Sequence, residues 1–131
     1  MKKFLASLLL SVCVFSVACS SPYSKPSNVV KDAFKAIVDE DIATLAELIE
    51  EGDKGSVSKT DMNFVCTMLC GKGNAQIKRY GVLKSYEVES ETIDESGSKA
   101  KVIMKMHFED GTNRTTSFDA IKRDSRWYLK V

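Results

Sequence analysis

The 131-residue sequence has one histidine and one tryptophan, and it has no excess of either charge, with 19 Lys and Arg against 18 Asp and Glu. A single imidazole excludes any site built on two histidines. Near-neutrality without a basic block argues against nucleic acid as the main partner. No run is long and apolar enough for a comfortable membrane-spanning helix, which needs about 20 residues. What remains is ordinary globular composition, 44% hydrophobic and 28% charged. That is too apolar for wholesale disorder, and the chain is long enough for one domain but not two.

The first segment reads as an address. Met1-Lys2-Lys3 is a short positive stretch, and Phe4 to Ala18 is an almost unbroken run of apolar and small residues. Its length fits the h-region of a secretory signal. The run ends in Phe15-Ser16-Val17-Ala18-Cys19, which resembles the bacterial lipobox, where a small residue precedes a lipidated cysteine. Cys13 is the rival, but Val12 before it is too bulky for the small-residue position. Residues 1–18 are therefore expected to be a lipoprotein signal peptide and Cys19 the lipidation site. Removing 18 residues leaves 113, and losing Lys2 and Lys3 leaves 17 cations against 18 anions, a net charge of −1. Residues 19–25, small and polar with Pro22, read as a tether. Ser20 after the lipidated cysteine resembles outer-membrane cargo facing the periplasm, should the host be Gram-negative. A cell-envelope location by lipid anchor is expected, not a membrane-embedded chain.

The remainder, 26–131, reads as helices and then strands. Pro26-Ser27 opens a first helix with Ser27 as N-cap, and Val30, Ala33, Phe34, Ile37 and Val38 share one face. Asp41 caps a second helix with the stripe Ile42, Leu45, Ala46 and Ile49, which Gly52 stops. A third helix starts near Ser58 or Thr60 with the stripe Met62, Val65, Cys66 and Leu69. Gly71-Lys72-Gly73 ends or interrupts it, and Asn74 to Tyr80 adds at most another turn or two.

From Gly81 the period becomes two. Strands are expected near 82–93, 99–108, 112–123 and 126–131, joined by Glu95-Ser96-Gly97, Glu109-Asp110-Gly111 and Asp124-Ser125. Opposed residues in an antiparallel pair have numbers of constant sum. A three-residue first turn sets Tyr86 opposite Met106, Val88 opposite Met104, Ser90 opposite Val102, Glu87 opposite Lys105 and Glu91 opposite Lys101. A three-residue second turn sets Phe118 opposite Val102 and Ala120 opposite Ala100. A two-residue third turn sets Phe118 opposite Val131, Ala120 opposite Leu129, Lys122 opposite Trp127 and Asp119 opposite Lys130. All three registers give one apolar and one charged face, and a slip of one residue would invert a strand. Asp110-Gly111 alone as a two-residue turn is the alternative, and it would place Asp119 opposite Val102 among apolar neighbours. The expected fold is α+β: three N-terminal helices packed on a curved four-stranded antiparallel meander.

Several segments together resemble a known family. They are the lipobox, Pro26-Ser27-Asn28-Val29-Val30, the acidic break Asp39-Glu40-Asp41, the alternating Ala100-Lys101-Val102-Ile103-Met104, and the closing Lys122 to Val131 with Trp127 after a polar turn. In this combination the chain resembles the bacterial lipoproteins of domain of unknown function 4878, within the nuclear-transport-factor-two-like superfamily. The resemblance implies a cone-shaped domain with a sheet wrapping helices around a possible pocket. It implies no particular activity, because that superfamily hosts enzymes, ligand binders and interaction modules.

The expected inner face carries Tyr86, Val88, Ser90, Thr92, Ala100, Val102, Met104, Met106, Phe108, Thr116, Phe118, Ala120, Trp127, Leu129 and Val131. It holds no Asp, Glu or His, whereas proton abstraction needs a positioned base. No enzyme is therefore expected, and no catalytic residue is assigned. Asp119 becomes the exception under the alternative register. Tyr86, Ser90, Met104, Met106, Thr116 and Phe118 are the candidate ligand-pocket residues; the same side chains also describe a filled core. Glu87, Glu89 and Glu91 alternate as a cation site would, yet Lys101 and Lys105 opposite them point to a solvated ion-pair face. Cys66 and Cys70, four apart on a helix, sit about 5–6 Å apart at Cβ where a disulfide wants about 3.8 Å. No metal and no cofactor are expected. The function expected is a non-enzymatic binding module of the envelope with an unnamed protein partner. The alternative is a carrier or sensor of a small apolar ligand, with an isomerase-like enzyme behind both. The charged outer face, with only Ile103, Ile121 and Tyr128 apolar, predicts a monomer.

Overall fold

The computed structural model describes residues 23–49 and 59–131. Cys19, the expected signal and most of the tether lie outside them. Helices α1 (Pro26–Asp39), α2 (Ile42–Leu48) and α3 (Lys59–Tyr80) precede strands β1 (Leu83–Ile93), β2 (Lys99–Phe108), β3 (Asn113–Arg123) and β4 (Arg126–Lys130). The strands form one antiparallel sheet in sequence order. The α+β meander is as the sequence reads.

α1 buries Val29, Val30, Ala33, Phe34, Ala36 and Ile37; Val29 and Ala36 join the expected stripe, and Val38 is only partly buried. Its N-cap position is Lys25, not Ser27, and Lys25 makes no side-chain cap. Pro26 at the first helical position needs no amide partner, and the Ser27 amide donates instead to the Glu91 carboxylate at 3.0 Å. Glu40 ends α1 in the left-handed conformation, φ 57°. Asp41 then caps α2 as expected, its Oδ1 accepting from the Thr44 amide at 3.2 Å. Hydrogen bonding from the Thr44 side chain, and then from its amide, holds the Asp41 carboxyl below the usual carboxylate range. α2 stops at Leu48 rather than at Gly52, because Ile49 is already extended and bridges Leu129 of β4. Gly52 lies outside the described residues.

The glycines do not end the third helix. α3 runs unbroken through Gly71 and Gly73 to Tyr80. Gly73 is where α3 meets α1: a Cβ there would stand 2.8 Å from Cγ2 of Ile37. Asn74, on the next turn, donates from Nδ2 to the Ile37 carbonyl at 2.7 Å and to the Cys70 carbonyl at 2.9 Å. The Ile37 carbonyl, which also accepts from the Glu40 amide at 3.1 Å, thereby ties the end of α1 to α3.

In the sheet, Tyr86–Met106, Glu87–Lys105 and Val88–Met104 pair as expected. Beyond Val88 a bulge shifts the register, so Ser90 faces Ile103 and Glu91 faces Val102, not Val102 and Lys101. The first loop is correspondingly one residue longer, with Asp94 bonded to Lys99 around four residues. The bulge absorbs the extra residue, and bulges bend a strand and add twist. Ser90 and Thr92 are consequently exposed, which removes both from the inner face.

The second hairpin keeps its three-residue loop, with Phe108 bonded to Thr112 and Gly111 at φ +90°. Phe118 faces Val102 and Asp119 faces Lys101, and their side chains approach to 3.4 Å in solvent. The buried-Asp119 alternative is thereby excluded. The third hairpin sets Ala120 opposite Leu129 and Asp119 opposite Lys130, also as expected. Val131 lies outside the strands and is exposed, so it leaves the inner face too.

Asp124 and Ser125 both adopt positive φ, 48° and 70°, the two-residue turn that matches strand twist. Neither is glycine, and an L side chain there costs about 1–2 kcal/mol. Ser125→Gly is expected to stabilise the domain by roughly 1 kcal/mol, measured as a higher midpoint in urea with an unchanged slope.

One core joins the layers. Phe34 of α1 meets Tyr86 and Phe118 edge-on, at ring distances of 4.7 and 6.0 Å. Val102, Met104, Met106, Phe108, Ala120, Trp127 and Leu129 complete it from the sheet. No helix among the described residues is long and apolar enough to cross a membrane.

Candidate binding cleft

α3 presents Leu69, Lys72, Gly73, Gln76, Ile77 and Tyr80 along one face, at the 3–4 spacing of a helix. Opposite lie Met106 of β2 and Thr115, Thr116 and Phe118 of β3, and Phe34 and Ile37 of α1 form the floor. Between them is a cleft of about 210 Å³. Its interior is apolar and its rim polar, the pattern of small-molecule and side-chain pockets.

The rim is cationic. Lys72 lines it, and the Arg114 guanidinium lies over the Tyr80 ring at 4.1 Å, where the open trough beyond the cleft begins. Gln76 donates to the Tyr80 hydroxyl at 2.8 Å, fixing the ring between helix and strand. Tyr80 also packs edge-on against Phe108 at 6.0 Å. Among the described residues no Asp, Glu or His lines the cleft.

Of the six residues expected to line a pocket, the structure gathers Met106, Thr116 and Phe118 in this cleft. Met104 is fully buried behind it. Tyr86 packs against Phe34 and is not in the lining. Ser90 is exposed beyond the bulge and takes no part. Sequence reasoning missed the entire α3 wall, because it expected that helix to break at Gly71–Gly73. The signal was there: Cys66, Leu69, Gly73, Ile77 and Tyr80 continue one helical stripe straight through the glycines.

The remaining sequence candidates fall elsewhere. His107 lies on the outer face, within hydrogen-bond distance of Asn113 (2.8 Å) and Glu87 (3.1 Å). Glu87 sits opposite Lys105, while Glu91 is engaged by the Ser27 amide. Among the described residues no cluster suited to a metal ion occurs. Of the outer apolar group, Ile121 is buried, and the Arg126 guanidinium covers the Tyr128 ring at 4.6 Å.

Cys66 and Cys70 are both free and buried in α3, behind the cleft wall. Burial pushes both thiols up, Cys70 further helped by the Glu40 and Asp41 charges. A raised thiol pKa keeps its full stabilising contribution below the ordinary thiol value. That contribution is lost as pH rises through the raised one, so stability should fall above about pH 8.5–9. In the folded protein at pH 7.5, alkylation at Cys66 and Cys70 should be roughly a hundredfold slower than in urea, since it requires local opening. Peptide mass spectrometry after timed labelling reads this, and equal rates in both conditions would contradict the burial.

Comparison with known proteins bears on the fold. A Campylobacter jejuni crystal structure of an NTF2-like protein, described as a candidate transpeptidase, is similar in fold: TM-score 0.63, 22% identity, covering 82% of this chain and 98% of that one. The solution structure of a SEC-C-motif protein from Rhodopseudomonas palustris gives 0.48 at 15% identity, over 88% of this chain and 82% of that one. The intermembrane-space region of the chloroplast protein ARC6 gives 0.42 at 16%, over 80% and 89%. No curated protein matches the chain. The family described as Domain of unknown function (DUF4878) matches residues 17–130. The chain therefore belongs to that family, and its domain has the NTF2-like fold.

Proposed function

We propose that this protein is a non-enzymatic binding module of the cell envelope, held to a membrane by lipid on Cys19 and engaging a partner through the α3–sheet cleft. The cleft carries the reading: it is apolar inside, polar at the rim, and about 210 Å³ in volume. A proton-transfer enzyme needs a base within reach of its substrate, and the described lining residues offer none. Acyl transfer needs an activated nucleophile, and Cys66 and Cys70 are buried outside the lining with raised pKa values. The name given to the Campylobacter jejuni relative therefore does not transfer on these residues. The lipid anchor is supported by the apolar run ending in Ala18-Cys19. In a Gram-negative host, Ser20 favours the outer membrane, facing the periplasm.

Cys19→Ala is expected to abolish retention, moving essentially all of the protein to the soluble fraction or leaving it unprocessed. Fractionation with immunoblotting reads this, and unchanged processing and membrane retention would refute the anchor. The same cavity favours a second reading, carriage of a small apolar molecule, because its floor is apolar. Native mass spectrometry of protein purified from membranes separates the two. A constant added mass that vanishes in Thr116→Trp, which fills the cleft, would select the carrier; its absence leaves the partner-binding module.

A further inference from the structure

The sheet treats its edges unequally. β1 carries two register shifts and exposes Glu87, Glu89 and Glu91, devices that discourage pairing. Ile49 bridges the free side of β4. β4, however, pairs only with residues 119–123 of β3. Among the described residues no strand lies beside 113–118, which pairs with β2 without a bulge and contains neither Pro nor Lys.

The backbone phase of this edge is fixed. The Lys122 amide donates to Ser98, and the Phe108 amide donates to Thr112. Antiparallel ladders alternate, so even-numbered residues of β3 bond to β2. The amides and carbonyls of Thr115 and Ser117 therefore face away from the sheet. The even-numbered Thr116 and Phe118 turn their side chains into the cleft.

We propose that this free half of β3 takes up an extended peptide by strand addition, antiparallel to β3, with one large apolar side chain in the cleft. This rests on the cleft being the binding site and names its partner's chemistry. Main-chain bonds to an open edge with a pocket for alternate side chains is a general mode of peptide recognition. The residue opposite Thr116 projects inward. A cavity of about 210 Å³ holds about seven water-sized volumes of roughly 30 Å³, matching a benzyl or isobutyl group. Two residues later the peptide lies opposite Arg114, whose guanidinium covers Tyr80 at the end of the cleft, with no carboxylate among the described lining residues. The partner segment is thus apolar, any residue, acidic.

The full chain in detergent micelles would be titrated with an eight-residue, β-branched-rich peptide carrying phenylalanine and, two positions later, glutamate. NMR should show Leu69, Thr116 and Phe118 shifting and the Thr115 and Ser117 amides gaining protection from exchange. N-methylating the two peptide amides that face β3 should weaken binding by about tenfold, as should glutamate→lysine, while Thr115→Pro removes the donor from the protein side. Cleft shifts with full affinity for the N-methylated peptide and no added protection would overturn strand addition while leaving the cleft as the site. Absence of any shift with this peptide, and with free phenylacetate as an apolar probe, would remove the cleft itself. Light scattering should report a monomer without peptide; a dimer with those amides already protected would overturn the proposal by making a second copy the occupant.

Discussion

Phe34→Ala should lower the stability of the domain by about 3–5 kcal/mol, the range for removing a buried aromatic. Phe34 is 3% exposed and holds α1 to the sheet through two edge-on rings, Tyr86 and Phe118. Each such pair adds about 0.5–1.5 kcal/mol beyond burial. The residue also floors the cleft, so the void left behind merges with an existing one and cannot close by local collapse. Domains of this size hold only about 5–15 kcal/mol in total, so the variant should melt about 15 °C lower or more. Differential scanning calorimetry measures this. A fall of under about 1 kcal/mol would mean that the α1–sheet contact is not a principal support. Leu at the same position should recover part of the loss, since it fills volume without restoring the ring pairs.

Gly73→Val should be the second large effect, destabilising by about 3 kcal/mol. Two contributions act together: a β-branched residue in a helix interior, and overpacking, typically 1–3 kcal/mol. The collision is with Cγ2 of Ile37, at 2.8 Å from a Cβ placed at Gly73. That methyl is fixed to the Ile37 Cβ and cannot swing aside like the end of a long side chain. Gly71, two residues earlier, meets nothing within 4 Å. Gly71→Ala should therefore stabilise by about 0.8–1 kcal/mol, the intrinsic helix cost of glycine. Opposite signs for these neighbours, read from denaturant midpoints, test the packing directly. Ile37→Leu, which removes Cγ2, should rescue part of Gly73→Val, and strict additivity of the two would show that they do not touch.

Gly73 also shows where sequence reading ends. Two glycines in three residues read as a helix stop because propensity is local, and here a tertiary contact overrides it. The glycine lets α1 approach, and Asn74 anchors that approach through the Ile37 carbonyl. Strand phase was legible because its signals are local. Period-two alternation, the three-residue loop Glu109-Asp110-Gly111 and the turn Asp124-Ser125 fixed which face Met104, Phe118 and Leu129 would share. The bulge after Val88 was not legible, since no residue type marks it and it compensates a loop one residue longer than expected. Ser90 was misplaced for that reason alone. One wall of the cleft followed from the strands, through Met106, Thr116 and Phe118. The facing wall needed α3 to be continuous, where the stripe through Leu69, Gly73, Ile77 and Tyr80 competes with the low helix propensity of Gly71 and Gly73.

The attachment of the chain before α1 has a consequence for orientation. The Trp127 amide donates to the Tyr23 carbonyl at 3.0 Å, the Tyr23 hydroxyl donates to Asp32 at 2.9 Å, and Arg126 covers the Tyr23 ring at 4.9 Å. Tyr23 is thereby clamped beside the third hairpin, four residues from Cys19. Four residues reach at most about 14 Å. With acyl chains on Cys19, that hairpin would stand close to the lipid headgroups. Arg114 lies at the opposite end of β3 from Arg123, about 30 Å away at roughly 3.3 Å per residue. β3 would then act as a mast. In a chain so anchored, the Arg114 end of the cleft would stand away from the bilayer, and whatever the cleft takes would arrive through the aqueous space or from a facing surface.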